Sequence, residues 1–249
     1  RWVALFVFQS HEVLMVSVLT VCVSHIMRMP DVNPAFPRKP FNARGSKVSR
    51  CENCRLPETC CICSALRHTQ AAADFWLLMH HNEFYKPSNT GRLILQSFPS
   101  AGISEWQRLS MATEFEVLLQ QRPGDACLVF PEAPDYSHRM VRDVSELSAR
   151  PLFIIPDGTW RQARRIFRHS AYLQDLPVIE PEVLQHSRYF LRKSDTEHHL
   201  CTAEVAVALL EQLGDREGAE VLMHNFRLFN EGYYASKGRN LQVAEAPPA

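Results

Sequence analysis

One segment of the chain places a short apolar run, a turn and an amphipathic helix in direct succession. Residues 152–155 are apolar and lie between two prolines, which favours a strand covered on both faces. Gly158 permits a tight turn after that strand. Thr159 and Gln162 have the spacing of a capping box, in which both side chains bind free N–H groups at a helix start. The segment therefore predicts Asp157 at the carboxyl end of a buried strand.

The helix predicted after this turn has two distinct faces. An apolar face should pack on the sheet through Trp160, Ala163, Ile166 and Phe167. A second face carries arginines at positions i, i+3, i+4 and i+7, namely Arg161, Arg164, Arg165 and Arg168. An arginine stripe is usually a solvated face, and an acid in such a turn is usually a cap. Four adjacent guanidinium groups without an acidic neighbour nevertheless favour a polyanionic partner.

Length and charge restrict the class of protein. A chain of 249 residues suits one mid-sized domain with a small appendage. Lys plus Arg and Asp plus Glu both number 27, so any nucleic-acid surface must be a local patch. We predict an extension and linker, a zinc knuckle, an α/β catalytic domain and a flexible tail, over residues 1–49, 50–68, 69–235 and 236–249 respectively.

The N-terminal extension is apolar without resembling a membrane span. Two apolar runs, residues 2–8 and 13–27, are separated by a polar insert. Neither reaches the roughly 18–20 residues that a membrane helix needs, and no small-residue cleavage site follows. We expect an accessory extension with the natural start near Met27 or Met29, a linker over residues 30–49, and a cytoplasmic protein without membrane contact.

Five of the eight cysteines fall within thirteen residues. A C-x2-C pair followed by C-x-C offers four thiolates to a tetrahedral Zn²⁺, and we predict Cys51, Cys54, Cys61 and Cys63 as its ligands. A closed four-sulfur shell leaves no open position, so such a zinc would be structural. Cys60 is the surplus sulfur, and a set with Cys60 in place of Cys61 is the alternative. A disulfide or redox cluster is the rival interpretation.

Polar residues also follow a second predicted strand, residues 74–79. In open α/β sheets, ligands bind in the crevice outside the carboxyl ends of strands. Four residues follow this strand or begin an apolar helix predicted over about residues 90–98, and their position makes them candidate ligand-binding residues: Glu83, Asn89, Thr90 and Arg92. Taken individually, each is more often a loop residue or a helix cap.

Strands alternating with helices predict an α/β fold with a largely parallel sheet. The further elements expected are a short helix, a buried strand, two extended segments and two C-terminal helices, at residues 115–119, 127–130, 176–179, 189–191, 202–213 and 219–229, with fraying from about residue 233. The chain has no glycine-rich dinucleotide fingerprint, P-loop, zinc-protease motif or nucleophile elbow. The common nucleotide-binding, metalloprotease and hydrolase interpretations therefore lack support.

Over about residues 50–215 the motifs together resemble the DTW-domain family of tRNA-uridine aminocarboxypropyltransferases. The resemblance is carried, in chain order, by the four-cysteine spacing, residues 89–92, Asp157 with Thr159 and Trp160 and the arginine helix behind them, and Arg192 followed by residues 202–204. Cys201 departs from the pattern, because many members have Ser at this position. A thiol caps a helix poorly, so we expect that helix start to be held differently.

The resemblance implies transfer of the 3-amino-3-carboxypropyl group of S-adenosylmethionine to N3 of a tRNA uridine in the variable loop, with release of methylthioadenosine. It also implies a fold related to the SPOUT methyltransferases, with a knotted cofactor site. Donor contacts are then expected from Pro131, Arg192, Thr202 and Glu204, and tRNA contacts from Arg92 and the four helix arginines.

Within this chemistry Asp157 is predicted to be the base that takes the N3 proton. The sulfonium is a good leaving group, so most of the remaining rate should come from in-line positioning. Thr159 and Trp160 would shape the turn, and the indole either stacks on a base or fills core, with core favoured. Two rivals are methyl transfer from the same donor and a zinc-containing RNA-binding module without catalysis.

Overall fold

The structure, a computed structural model, describes residues 48–182 and 200–238. They form six strands, five α-helices and six short 3-10 helices. The strands are β1 (Asp74–Met79), β2 (Gly102–Glu105), β3 (Ala126–Val129), β4 (Met140–Val141), β5 (Leu152–Asp157) and β6 (Val178–Ile179). The α-helices are α1 (Gly91–Ser97), α2 (Thr113–Gln121), α3 (Trp160–His169), α4 (Thr202–Gln212) and α5 (Arg216–Ala235).

All six strands lie parallel in one sheet, in the order β2-β1-β5-β3-β6-β4. This confirms the predicted α/β class. β2 and β4 were not expected, and both are edge strands that are too short or too polar for a clear apolar pattern. Because every strand has the same direction, all carboxyl ends meet at one edge of the sheet. There β1 and β5 are neighbours, with Met79 opposite Asp157.

Helices cover both faces of the sheet. Phe153 and Ile155 of β5 point into the core under α1, α4 and α5. Leu152 and Ile154 point into the core under α2 and α3. This alternation of side chains along the strand carries Asp157 to the α1 and α4 face. The carboxylate and the arginine helix α3 consequently lie on different faces of the sheet.

The structure corrects two expectations about helix boundaries and packing. Ala163, Ile166 and Phe167 of α3 are buried as predicted, but Trp160 is 45 % exposed. Trp160 lies in the first turn of α3, beyond the end of the strands, so the sheet cannot cover it. The predicted core position of its indole is therefore wrong. Fraying from residue 233 is also wrong, because α5 continues to Ala235.

Several predictions fall outside the described residues. They are the extension and linker up to residue 47, the extended segment at 189–191, Arg192, and the tail beyond residue 238. The knotted cofactor site also stays a prediction, because residues 183–199 are not described. Within residues 48–182 and 200–238, no helix combines the length and hydropathy needed to cross a bilayer.

A cluster of charged side chains stabilises the amino-terminal edge of the sheet. Asp74 at the start of β1 accepts hydrogen bonds from Arg150 Nε at 2.9 Å and Nη2 at 2.8 Å, and from Arg122 Nη1 at 2.5 Å. Burial raises the pKa of Asp74, but hydrogen bonds from Arg150 and Ser100 and the charges of Arg150 and Arg122 outweigh burial and hold the pKa below its usual value.

We expect Asp74→Asn to destabilise the protein by about 2 kcal/mol at neutral pH, since it removes charged hydrogen bonds. The lowered pKa means that the contribution is complete above the unfolded value of about 4 and is lost as the pH falls through the folded value. The gap in unfolding free energy between wild type and variant should therefore close below about pH 4. Urea unfolding at several pH values measures this gap, and a pH-independent gap would contradict the assignment.

Candidate active site and metal centre

Asp157 is the centre of a buried polar cluster at the carboxyl edge of the sheet. Its side chain is 2 % exposed. Asn89 Nδ2 donates a hydrogen bond to Oδ2 at 2.6 Å, and Thr202 Oγ1 donates one to Oδ1 at 2.6 Å. Three segments that are far apart in the chain therefore converge on one carboxylate.

Two helices begin at this carboxylate. Asn89 lies two residues before α1, next to its N-cap Thr90, and Thr202 is the first residue of α4. Free N–H groups at a helix start carry partial positive charge and stabilise a nearby anion. The two helix starts and the two side-chain donors thus stabilise the charge of the Asp157 carboxylate from the same face of the sheet.

Gly91 is required for the close approach of α1 to the acid. A Cβ atom at Gly91 would lie 2.7 Å from Asp157 Oδ2 and 3.1 Å from Leu77 Cδ1. Contacts this short force the carboxylate or the helix to move. Glycine therefore lets the backbone of α1 reach the carboxylate, which explains its position in the segment 89–92 that the sequence singled out.

We expect Gly91→Ala to lower the free energy of unfolding by about 1–3 kcal/mol, as overpacking does, and to impair the site by displacing Asp157. The matched control is Gly124→Ala. Gly124 has nothing within 4 Å but has φ of +84°, so alanine there costs about 1–2 kcal/mol of backbone strain without touching the site. Chemical denaturation and product yield together test this, and equal yields from the two variants would contradict it.

The position of Arg92 contradicts one prediction. It was expected to contact RNA, but its side chain is fully buried. Nε donates to the carbonyl of Asn89 at 3.2 Å, and Nη2 donates to the carbonyl of Lys86 at 2.9 Å. A buried guanidinium cannot meet a phosphate on the surface. Arg92 instead fixes the loop that carries Asn89 to Asp157.

The start of α4 has a capping box with Cys201 at the N-cap and Glu204 at the third helical position, the arrangement typical of a serine-capped helix. The expectation that the departure at Cys201 would change how this helix start is held is therefore wrong. The backbone N–H of Cys201 donates to Glu204 Oε2 at 2.9 Å, and that of Ala203 donates to Thr90 Oγ1 at 3.4 Å. Glu204 is buried in this role. Donor contacts by Thr202, Glu204 and the half-buried Pro131 stay predictions.

His80 is a site residue that the sequence did not single out. Its backbone N–H donates to the carbonyl of Asp157 at 3.0 Å, and its Nδ1 lies 3.2 Å from Gln162 Nε2. Burial lowers the pKa of His80 below its ordinary value. The available signal was its position directly after β1, opposite the end of β5. Nearby, Glu83 is fully buried and forms an ion pair with Lys86.

The start of α3 has the predicted capping box. Gln162 Oε1 accepts a hydrogen bond from the backbone N–H of Thr159 at 2.7 Å, and Thr159 Oγ1 accepts one from that of Gln162 at 3.4 Å. The four arginines behind it are all exposed, as predicted: Arg161, Arg164, Arg165 and Arg168. Their contact with RNA stays a prediction.

The four predicted zinc ligands lie together. Their Sγ atoms are all within 4.8 Å of one another, with Cys51 to Cys63 at 3.6 Å and Cys54 to Cys61 at 3.9 Å. Tetrahedral Zn²⁺ with Zn–S bonds of about 2.3 Å requires sulfurs about 3.8 Å apart. The cluster therefore fits the ion. Cys60 is not a member of the cluster, which favours Cys61 as the ligand.

The four sulfurs do not share one environment, because burial raises the pKa of the Cys54 and Cys63 thiols above the usual value. Burial raises the pKa of the Cys51 thiol, but backbone N–H groups of Cys54 and Asn53 outweigh it and lower the pKa to about 7. Asn53 Nδ2 lies 3.4 Å from Cys63 Sγ. The cysteine segment packs on α5, where a Cβ atom at Gly232 would lie 2.7 Å from Leu56 Cδ1. The cysteine cluster is thus part of the main core.

Several known proteins are similar to this chain in sequence. The tRNA-uridine aminocarboxypropyltransferase 2 of Drosophila melanogaster is 27% identical over 175 residues, which cover 69% of this chain and 69% of the relative. The proteins of the same name from Mus musculus and Macaca fascicularis are each 24% identical over 170 residues, 65% of this chain and 56% of the relative. The chain thus spans little more than half of these two relatives. No solved structure matches significantly.

The sequence profile described as the DTW domain matches residues 48–234. That range contains the four-cysteine centre, the helix starts that meet Asp157, and α3. This chain therefore belongs to the DTW-domain family.

Proposed function

We propose that this chain transfers the 3-amino-3-carboxypropyl group of S-adenosylmethionine to N3 of a uridine in the variable loop of tRNA, giving acp3U. The names of its relatives support tRNA uridine as the substrate class and aminocarboxypropyl transfer as the reaction. The observation that carries the proposal is the buried Asp157 carboxylate, which β5 and the starts of α1 and α4 hold at the edge of the sheet where α/β enzymes bind ligands.

In the proposed reaction, uridine N3 attacks the γ-carbon of the methionine moiety. The N–C bond forms as the C–S bond breaks, and the electron pair of that bond leaves with methylthioadenosine. The N3 proton passes to the carboxylate of Asp157, which acts as general base. Asn89 and Thr202 are positioning residues, because they fix the orientation of this carboxylate. Pro131, Arg192, Thr202 and Glu204 are the proposed contacts of the donor.

Zinc has no part in the chemical step of this proposal. Cys51, Cys54, Cys61 and Cys63 would fill all four positions of a tetrahedral ion, so no position remains for a substrate. The ion would supply stability by closing the segment that packs on α5. This matches a reaction whose sulfonium leaving group requires no Lewis acid.

The tRNA is proposed to bind along the exposed arginines of α3. The chain has no net charge, so attraction to phosphate must be local, and Arg161, Arg164, Arg165 and Arg168 form such a patch. Each phosphate contact releases counterions, so binding should weaken steeply as salt rises.

The decisive experiment incubates the full chain with S-adenosylmethionine and total tRNA, digests the RNA, and searches for acp3U by mass spectrometry. Accumulation of methylthioadenosine would support aminocarboxypropyl transfer, whereas S-adenosylhomocysteine would indicate methyl transfer. Calorimetric titration with S-adenosylmethionine tests the non-catalytic rival, because a pure RNA-binding module has no reason to bind the donor. Donor binding without any modified uridine would contradict the proposed substrate.

A further inference from the structure

A groove of about 460 Å³ lies beside α3, on the face of the sheet away from the Asp157 carboxylate. One wall is formed by α3 and the other by the chain that follows β3, residues 130–139. Pro131, a proposed donor contact, lies at its margin, and Arg164 and Arg168 of the proposed tRNA surface line it. Its walls combine aromatic rings with arginines.

The aromatic rings form a continuous stack. Phe130 lies between Trp160, at 5.3 Å with an interplanar angle of 9°, and Phe167, at 4.3 Å and 15°. Tyr136 contacts the ring of Phe167 at 4.6 Å. Trp160 borders the groove with nearly half of its surface exposed. A flat base could extend this stack, since every nucleobase has a π-face.

The charged residues of the groove favour an anion. Arg164 and Arg168, one helical turn apart, line it and are exposed. The guanidinium of Arg139 lies over the rings of Tyr136 and Phe167, at 5.9 and 5.7 Å from their centroids.

The acids of the groove offset these cations only in part. Glu132 is held in a two-bond ion pair by Arg142, with distances of 2.6 and 2.7 Å. Asp135 also lines the groove. Among the lining residues, three arginines stand against two acids. Around them, Glu180 accepts a hydrogen bond from the backbone N–H of Glu132 at 2.8 Å, and the charge of Asp175 acts on Arg139. The positive charge is therefore concentrated at Arg164 and Arg168, which favour an anionic group beside the aromatic wall.

α3 divides its arginines between two sides. Arg164 and Arg168 border the groove, whereas the guanidinium of Arg165 lies 5.8 Å from the ring of Trp106 and Arg161 is not among the groove residues. The two pairs have the same charge, the same helix and similar exposure. They therefore provide a matched comparison between general attraction to RNA and binding in the groove.

We infer that this groove binds one nucleotide of the RNA substrate other than the reacting uridine. The base would stack on the aromatic wall at Trp160, and its phosphate would lie at Arg164 and Arg168. The inference rests on the proposed function, because it assumes an RNA substrate. It adds a second contact, on the opposite face of the sheet from Asp157, that would fix the position of the RNA while one uridine reacts.

The test measures binding of a uridine trinucleotide and of a trinucleotide of the same charge with abasic sites. Wild type should prefer the base-containing probe by about tenfold, since stacking of one base has an effect of this order. Trp160→Leu should abolish the preference, and Trp160→Phe should keep most of it. An unchanged preference in Trp160→Leu would overturn the inference. Circular dichroism checks that the variants are folded.

The two arginine pairs provide a second test of the inference. All four side chains are exposed, so their substitution should leave the protein folded. Arg164→Ala with Arg168→Ala should weaken binding of the base-containing probe at least tenfold more than Arg161→Ala with Arg165→Ala. Equal losses would show general electrostatic attraction and would overturn the inference. Added S-adenosylmethionine should not displace the probe, and displacement would identify the groove as a donor site instead.

The two proposals can fail separately. Absence of acp3U from a protein that still binds the base-containing probe through Trp160 would count against the proposed function alone. Normal transfer by the Trp160→Leu variant, with unchanged affinity for tRNA, would count against the groove alone.

Discussion

Asp157→Asn should retain the fold and the affinity for tRNA but lose transfer by about 10²- to 10⁴-fold, the range typical of a missing general base. The substitution keeps the size of the side chain. Its carbonyl oxygen can accept the hydrogen bond from Asn89, and its amide can donate to the hydroxyl of Thr202, which is also an acceptor. The variant therefore removes the charge and the basicity while preserving both contacts.

Product nucleoside, measured by mass spectrometry under single-turnover conditions, reports the transfer step directly. Loss of the charge at two helix starts should cost only about 1 kcal/mol of stability, so the variant should remain folded. The controls are Thr202→Val and Asn89→Ala, which each remove one hydrogen bond but keep the carboxylate, and they should reduce the rate less. A wild-type yield from Asp157→Asn would remove Asp157 from the role of base.

The combined substitution Cys51→Ser and Cys54→Ser should abolish binding of one Zn²⁺ per chain and lower the melting temperature. Structural zinc contributes on the order of 10 kcal/mol in isolated zinc fingers. Here the cysteine segment is one part of a larger core, so we expect a loss of about 3 kcal/mol or more. For a domain of this size such a loss lowers melting by about 10 °C.

The same loop provides the matched control. Cys60→Ser removes a neighbouring thiol that is not part of the sulfur cluster, and it should leave metal content and melting unchanged. Cys61→Ser should lower both. Metal content is measured by atomic emission on the purified protein. Full zinc in the double variant would contradict the metal centre, and loss of zinc in Cys60→Ser but not in Cys61→Ser would reverse the choice of ligand.

Local patterns in the sequence determined much of this protein. The apolar run at 152–155, the capping box at Thr159 and the spacing of the cysteines each depend on neighbouring residues. For this reason the strand β5, the start of α3 and the grouping of the four sulfurs were predictable. The edge strands β2 and β4 were not, because they are held by hydrogen bonds to a neighbouring strand and have no distinct apolar period.

The tertiary structure alone decided which residues surround Asp157. Asn89 and Thr202 lie 68 and 45 residues from the acid in the chain, and only the packing of α1 and α4 on the sheet brings them to its two oxygens. Tertiary packing also buries Arg92, which was expected at the surface, and leaves Trp160 exposed, which was expected in the core. The sequence determines what each residue can do locally, whereas burial and charge depend on which distant segments pack against it.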